Sequence, residues 1–277
     1  MILVTGATGT TGSALLKELH ARGAGPLRGL TRQAARAVFP GGVEVVEGDL
    51  GSPASLDRAL AGVRSLFLLS GLAPAAGALE AARRAGVGHV VLVSSITVQT
   101  HPHLGPAAGN LAVEELLKDT GMAWTVLRPT QFASNTLMWA SAVRGRGTVE
   151  APYAEVALPT IHPADIASVA RVALTEPGHH GRVHALTGPE RVSPRQQVAA
   201  LAEALGREIP FAEISRERAR ARMVAVFGPE AADAVLDLTG GDVNDELLAV
   251  RDTVTRVTGA PARTFRQWAE ENAPAFR

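Results

Sequence analysis

The chain of 277 residues has no cysteine, one tyrosine and two lysines. Without cysteine it can form no disulfide, no thiolate metal site and no sulfur nucleophile. A phenol can come only from Tyr153, and an ammonium side chain only from Lys17 or Lys118. Neither charge sign is in excess, since Lys+Arg and Asp+Glu both number 27, so there is no global electrostatic case for nucleic acid or an acidic membrane as partner. No apolar run approaches the length of a membrane span. Met1 leads straight into an apolar run, leaving no room for a charged leader, so a soluble cytoplasmic protein with a small-molecule substrate is expected. The length suits one large α/β domain, or a nucleotide-binding core with a smaller lobe.

What is present begins at residue 2. Ile2-Leu3-Val4 reads as a buried parallel strand, Thr5-Gly6-Ala7-Thr8-Gly9-Thr10-Thr11-Gly12 as a glycine turn, and Ala14, Leu15 and Leu19 as the apolar face of a helix. Such a junction binds pyrophosphate. Gly6 permits the tight turn, Gly9 lets the backbone approach the phosphates, Gly12 lets the helix pack on its strand, and free helix N–H groups face the anion. Glycine triplets also mark ordinary turns, but the strand before and the helix after are the context the motif needs.

A second strand is expected over 26–32. Its end falls about 20 residues past the last motif glycine, where an NAD site places an acid on the ribose 2′-hydroxyl. Thr31 and Arg32 stand there instead. An arginine can stack on adenine and pair with a 2′-phosphate that a carboxylate would repel, which favours NADP(H) over NAD; otherwise Arg32 is a solvated charge. Strand three (43–50) brings Asp49 to the crevice, either to accept from the adenine amine or to shape the turn before a helix at 54–60, with Leu50 against the ring. Strand four (65–71) would place Gly71 and Leu72 near the ribose. Strand five (89–95) ends in Ser94 and Ser95, followed by Thr97; a reductase would set a hydroxyl here against the substrate carbonyl, although serines also simply end strands.

The His101/His103 loop resembles a fragment of a metal site but lacks a third ligand or supporting carboxylate. These are surface histidines, or a proton relay to bound substrate. A helix over 107–119, strand six over 123–132 and a helix over 135–143 follow, with Gly145 and Gly147 closing the core. After them the stretch 156–165 leads to a helix capped at Pro163, Ala164 or, by side-chain chemistry, Asp165, followed by a strand at 183–188, a helix capped by Ser193 with Pro194 at its first position, and helices over 216–227, 229–238, 245–257 and 264–272. The expectation is an α/β Rossmann-type doubly wound parallel sheet with a smaller, mainly helical C-terminal lobe: residues 1–147 binding NAD(P) and 148–277 the substrate, some segments packing back on the core.

With the glycine motif, Val91-Leu92-Val93-Ser94-Ser95, Gly121-Met122-Ala123-Trp124-Thr125-Val126-Leu127-Arg128-Pro129 and Ile161-His162-Pro163-Ala164-Asp165-Ile166-Ala167 in this order, the chain resembles the NmrA-like atypical short-chain dehydrogenase/reductases. Its ending, Thr258 to Asn272, looks like that of the ergot-alkaloid reductases of the festuclavine dehydrogenase type. The resemblance implies NADP(H) on Gly6, Thr8, Gly9, Thr10, Thr11 and Gly12, with Arg32 near the 2′-phosphate. It likewise implies Asp49 and Leu50 near adenine, Ser70 and Gly71 near ribose, and Pro129, Thr130 and Phe132 near the nicotinamide.

The chain departs from reductases that carry a Tyr-x-x-x-Lys pair. Registering the 107–119 helix against the family puts Asn110 at the lysine position and Pro106 at the tyrosine position, so the usual proton donor is missing. Either the acceptor needs no strong acid, as an iminium or quinone does not, or His101, His103, Ser95 or Tyr153 donates to a carbonyl or enone. The remaining option is that catalysis is lost and the chain is an NADP(H)-dependent redox sensor acting through a protein partner. A reductase predicts an apolar pocket between Ser94, Phe132, Trp139 and the C-terminal lobe, whereas a sensor predicts that volume filled. Trp139 and Trp268 line that pocket or pack the core.

Overall fold

The first apolar run forms β1 (Ile2–Val4), buried along its length, and the chain leaves it through the glycine turn into α1 (Thr10–Ala21). The computed structural model describes residues 1–69, 75–145 and 147–277. Strand and helix then alternate through β2 (Leu27–Thr31), β3 (Glu44–Glu47), α2 (Asp57–Leu60), β4 (Ser65–Leu69), α3 (Ala75–Arg84), β5 (His89–Val93), α4 (Thr97–Thr100), α5 (Gly105–Asp119) and β6 (Ala123–Pro129). Next come β7 (Gln131–Phe132), α6 (Ala140–Arg144), β8 (Val149–Ala151), β9 (Leu158–Ile161), α7 (Pro163–Thr175) and β10 (Arg182–Leu186). The chain ends through β11 (Arg191–Val192), α8 (Pro194–Leu205), β12 (Phe211–Glu213), α9 (Arg216–Phe227), α10 (Pro229–Leu236), α11 (Asp245–Leu248), α12 (Thr253–Thr258) and α13 (Phe265–Asn272).

Seven strands form one parallel sheet in the order β3-β2-β1-β4-β5-β6-β10. This is the doubly wound α/β class the sequence predicts. Side chains alternate across it with period two. Leu3, Leu66, Leu68 and Leu92 face one helical layer, and Val4, Phe67 and Val91 face the other, where Leu15, Leu16, Ile166 and Val169 meet them. Covered on both faces, the inner strands read as near-continuous apolar runs. Strand order reverses between β1 and β4, and a ligand crevice is expected at the carboxyl ends there.

Three local expectations are corrected. The helix predicted over 135–143 is a 3-10 turn at Ala133–Trp139 followed by α6. The helix predicted over 245–257 is α11 and α12 with an extended Ala249 between them. The Arg251 guanidinium bonds Ala249 O at 2.9 Å and Glu246 O at 3.0 Å, satisfying carbonyls that a continuous helix would have used. The cap of α7 is none of Pro163, Ala164 and Asp165. It is His162, whose Nδ1 accepts from Ala164 N at 3.0 Å. Asp165 is instead buried one turn in, accepting from Arg263 N at 2.7 Å and from its guanidinium at 2.5 Å. Burial pushes this carboxyl up from its ordinary range, and the two Arg263 hydrogen bonds oppose that shift.

Histidines gather away from the crevice. His89 opens β5 and lies 4.4 Å from His180, ring to ring, while His179 Nδ1 is 3.3 Å from His184 Nε2. Burial, with His180 and His179 close by, pulls His89 down to about 4. Burial, with His179, Arg256 and Arg182 nearby, takes His184 to about 4 as well. Both rings are neutral in the fold and protonate far more readily once it opens. Their contribution is therefore fully present above the unfolded value near 6.5 and is lost as pH falls from there towards 4. Allowing for partial solvent access, each accounts for on the order of 2 kcal/mol. The thermal midpoint is expected to drop between pH 6.5 and 4.5, and a His89→Gln/His184→Gln variant to show a flatter profile. Equal slopes in a calorimetric pH series would contradict this assignment.

Candidate functional site

The glycine turn fixes one wall of the crevice. Gly6 adopts φ +59°, its carbonyl accepts from Gly9 N at 2.8 Å, and α1 begins at Thr10 without a side-chain cap. A Cβ on Gly12 would stand 2.2 Å from Gly6 O and 2.7 Å from Gly6 C, so the helix packs directly on the turn. Thr11 Oγ1 is buried with no hydrogen-bond partner. An orphaned hydroxyl beside uncapped helix N–H groups is the donor set a phosphate fits.

A crevice of about 390 Å³ opens here. Gly6, Thr8, Gly9, Thr10, Thr11 and Gly12 line it from the turn, Leu30, Thr31 and Arg32 from the end of β2, Gly48, Asp49 and Leu50 from beyond β3, Leu69 from β4, and Phe132 from β7. Arg32 is exposed, and none of its neighbours among the described residues forms an ion pair with it. Asp49 does two things, lining the crevice and accepting from Gly51 N at 2.9 Å within its turn. Ser70 and Gly71 lie outside the described residues, as does Leu72. Leu30, Gly48 and Leu69 were not singled out by sequence, although each directly adjoins a residue that was.

A second cavity of about 350 Å³ meets the first at Phe132. Ser94, Ser95, Ile96 and Thr97 form its floor after β5; Pro129, Thr130, Gln131, Phe132 and Asn135 form one side; Leu158 and Pro159 form another; Val235, Leu238, Thr239 and Leu247 roof it. Ser94 Oγ donates to Glu114 Oε1 at 2.6 Å. Glu114 is fully buried and also receives Arg128 through Nε at 2.9 Å and Nη2 at 2.6 Å. Ser95 Oγ accepts from the Thr97 amide and hydroxyl at 3.2 and 2.9 Å. Thr130 Oγ1, on a residue only 4% exposed, has no partner. Pro129 and Thr130 thus line this cavity, and only Phe132 of that trio also reaches the first crevice.

Other candidates lie elsewhere. His101 is fully buried, with Nδ1 2.8 Å from Thr100 Oγ1 and Nε2 2.6 Å from Asp242 O, so both ring nitrogens are engaged. His103 is exposed, 3.6 Å from Asp242 Oδ2. Asn110 bonds Pro106 O at 3.1 Å on α5. Tyr153 adopts φ +54°, its ring lies against Gly240, and its hydroxyl accepts from Arg216 at 3.5 Å. None of these four lines either cavity. Trp139 packs on the α8/α13 cluster, and Trp268 is the buried centre of that cluster, 5.4 Å from Phe265 and edge-on to Phe276 at 6.2 Å.

A doubly wound sheet with a glycine turn, an uncapped helix start and a crevice at the strand switch point defines a dinucleotide-binding α/β protein. Residues 6–177 match the family model for NAD(P)H-binding proteins. Over its whole length the chain is 40% identical to 99% of the (4-alkanoyl-5-oxo-2,5-dihydrofuran-3-yl)methyl phosphate reductase of Streptomyces griseus. It is 38% identical, with the same coverage, to the NAD(P)H azoreductase of Xenophilus azovorans. Festuclavine synthase I of Penicillium roqueforti is 32% identical over 67% of this chain and 64% of its own. Among solved structures, the NADPH-dependent quinone oxidoreductase of Escherichia coli in complex with NADPH superposes with a TM-score of 0.80 at 27% identity, covering 98% of this chain and 99% of that one. The chain belongs to the NAD(P)H-binding family and is an NAD(P)H-dependent oxidoreductase. No helix among the described residues is long and apolar enough to cross a membrane.

Proposed function

We propose that the protein is an NADPH-dependent reductase that passes hydride to a small organic acceptor, a quinone, iminium, enone or other carbonyl, without a Tyr-x-x-x-Lys pair. The reading rests above all on the open second cavity, which joins the cofactor crevice at Phe132. A dinucleotide sensor would need that volume filled. In this reading residues 1–147 hold the cofactor and 148–277 close the acceptor side.

Gly6, Thr8, Gly9, Thr10, Thr11 and Gly12 would hold the pyrophosphate, with the unpartnered Thr11 hydroxyl as one donor. Arg32 would meet the 2′-phosphate, and Asp49 and Leu50 the adenine. The bound cofactor supplies a hydride. The protein's part is to orient the acceptor against it and exclude water, which Pro129, Thr130 and Phe132 do from one wall and Val235, Leu238 and Leu247 from the roof. The lining residues of the second cavity that carry a hydroxyl are Ser94, Ser95, Thr97, Thr130 and Thr239. His101, Asn110 and Tyr153 are not part of that lining.

Arg32 carries the cofactor preference. Arg32→Ala is expected to weaken NADPH by about 10- to 100-fold, the loss of one charge-assisted pair, and to leave NADH nearly unchanged. Fluorescence titration with both cofactors checks it; parallel loss of both would assign Arg32 to the adenine face instead of the phosphate. NADPH oxidation against a panel of quinones, cyclic iminium compounds and enones tests the activity. Tight NADPH binding with no oxidation anywhere in the panel would point to the sensor.

A further inference from the structure

Among the described residues Tyr153 is the only one besides glycines with a positive φ, at +54°. For a bulky side chain that conformation is strained, whereas a glycine would adopt it freely. What the ring touches accounts for the exception. Tyr153 lies between β8 and β9 on a fixed base: Val156 N donates to its carbonyl at 3.0 Å, and Ala154 N donates to Glu213 Oε1 on β12 at 3.0 Å. Its ring occupies the space a side chain on Gly240 would need. A Cβ there would stand 2.2 Å from the ring Cγ and 2.5 and 2.6 Å from Cδ2 and Cδ1.

Gly240 belongs to a five-residue π-helical turn, Asp237–Gly241, that continues α10. This turn carries Leu238 and Thr239 into the roof of the second cavity, beside Val235. Arg216 Nη1 ties its start to the same tyrosine, donating to Asp237 Oδ1 at 2.8 Å and to the Tyr153 hydroxyl at 3.5 Å. Leu236, just before the turn, is fully buried with Ile214 and Ala219, and Tyr153 packs on that cluster. The rest of the roof is held separately: His101 Nε2 lies 2.6 Å from Asp242 O, and Asn244 Nδ2 donates to Thr100 O at 2.9 Å. Tyr153 therefore grips the 236–241 part of the roof from outside the cavity, which it does not line.

We propose that Tyr153 is a positioning residue for acceptor selection: its ring, seated on Gly240, sets the height of the roof and so which acceptors the cavity holds. The proposal rests on the reductase reading and adds a determinant outside the cavity. Ser94, Ser95, Pro129 and Phe132 line the cavity from other elements, so losing the ring removes binding shared by ground and transition states. KM rises and kcat stays.

The test uses the full chain carrying Tyr153→Gly, Tyr153→Phe, Gly240→Ala, or Tyr153→Gly with Gly240→Ala. Tyr153→Gly keeps the backbone conformation without strain and removes only the ring. Hydrogen exchange read by mass spectrometry is expected to accelerate at least about tenfold at 235–241 in this variant, with 2–12 and 242–248 unchanged. Steady-state kinetics with NADPH and 1,4-naphthoquinone, N-methyl-3,4-dihydroisoquinolinium or 2-cyclohexenone are expected to show KM for the acceptor raised at least about tenfold, kcat within about threefold and NADPH affinity unchanged. Tyr153→Phe, which keeps the ring, is expected to match wild type, which a proton-donating role would forbid. Gly240→Ala alone is expected to act like Tyr153→Gly, and to add nothing to it in the double variant, because the ring it would strike is gone. Unchanged exchange at 235–241, kcat or NADPH affinity falling in step with the rise in KM, or a Tyr153→Phe variant as impaired as Tyr153→Gly overturns the proposal. If wild type oxidises NADPH with none of the three acceptors, the reductase reading fails and acceptor selection with it, while the exchange series still decides whether the ring holds the roof.

Discussion

Gly12→Ala is expected to weaken NADPH binding by at least about a hundredfold, roughly 2.7 kcal/mol. The reason is steric and involves backbone on both sides. The new Cβ would stand 2.2 Å from Gly6 O and 3.0 Å from Thr5 O, and neither atom can rotate away as a side chain would. The first turn of α1 must lift off the sheet, carrying the Thr11 hydroxyl and the helix N–H groups out of register with the phosphates. Isothermal titration with NADPH measures the loss, and circular dichroism shows whether the fold survives. An alanine variant that folds normally and binds within threefold of wild type would show that this close approach does not matter.

Glu114→Gln is expected to cost about 3 kcal/mol of stability, at the low end for one partner removed from a buried pair. Glu114 is fully buried and takes three hydrogen bonds, from Ser94 and twice from Arg128. The amide keeps the shape but not the charge, leaving the Arg128 guanidinium, whose side chain is only 15% exposed, beside a neutral group. In a chain of this size that is a fall of roughly 6–12 °C in thermal midpoint. Replacing both partners with apolar residues, Glu114→Leu with Arg128→Met, is expected to recover much of it, because the orphaned charge goes too. A Glu114→Gln midpoint within 2 °C of wild type would mean that the pair is better solvated than its burial indicates.

The crevice at the glycine turn was legible because its signals are local. Strand, glycine turn and helix start are contiguous, and Arg32 and Asp49 follow from counting to the ends of the next two strands. The second cavity was legible at Ser94, Ser95, Thr97 and the 129–132 stretch, each placed by a strand end. Its roof was not, since Val235, Leu238 and Leu247 return from roughly a hundred residues further along, and nothing local marks them. Asp165 shows why side-chain chemistry alone misleads. A carboxylate is a good cap in general, but here Arg263, 98 positions away, claims it. His162, just before a proline at the first helical position, was left to cap α7. Equally invisible was the Glu114–Arg128 pair, because α5 and β6 each look complete without it. Tyr153 and His101 were candidates by residue type, and packing gave both to the protein itself.

The described lining of the crevice at the glycine turn ends at residue 132, whereas the roof of the neighbouring cavity comes from residues 235–247, between β12 and α12. That separation has a consequence for changing the protein. On the proposed reading, substitutions in the short 235–247 stretch are expected to change which acceptors are admitted while the residues proposed to hold the cofactor stay untouched. Laboratory libraries confined to that stretch should reach new acceptors without re-optimising the rest.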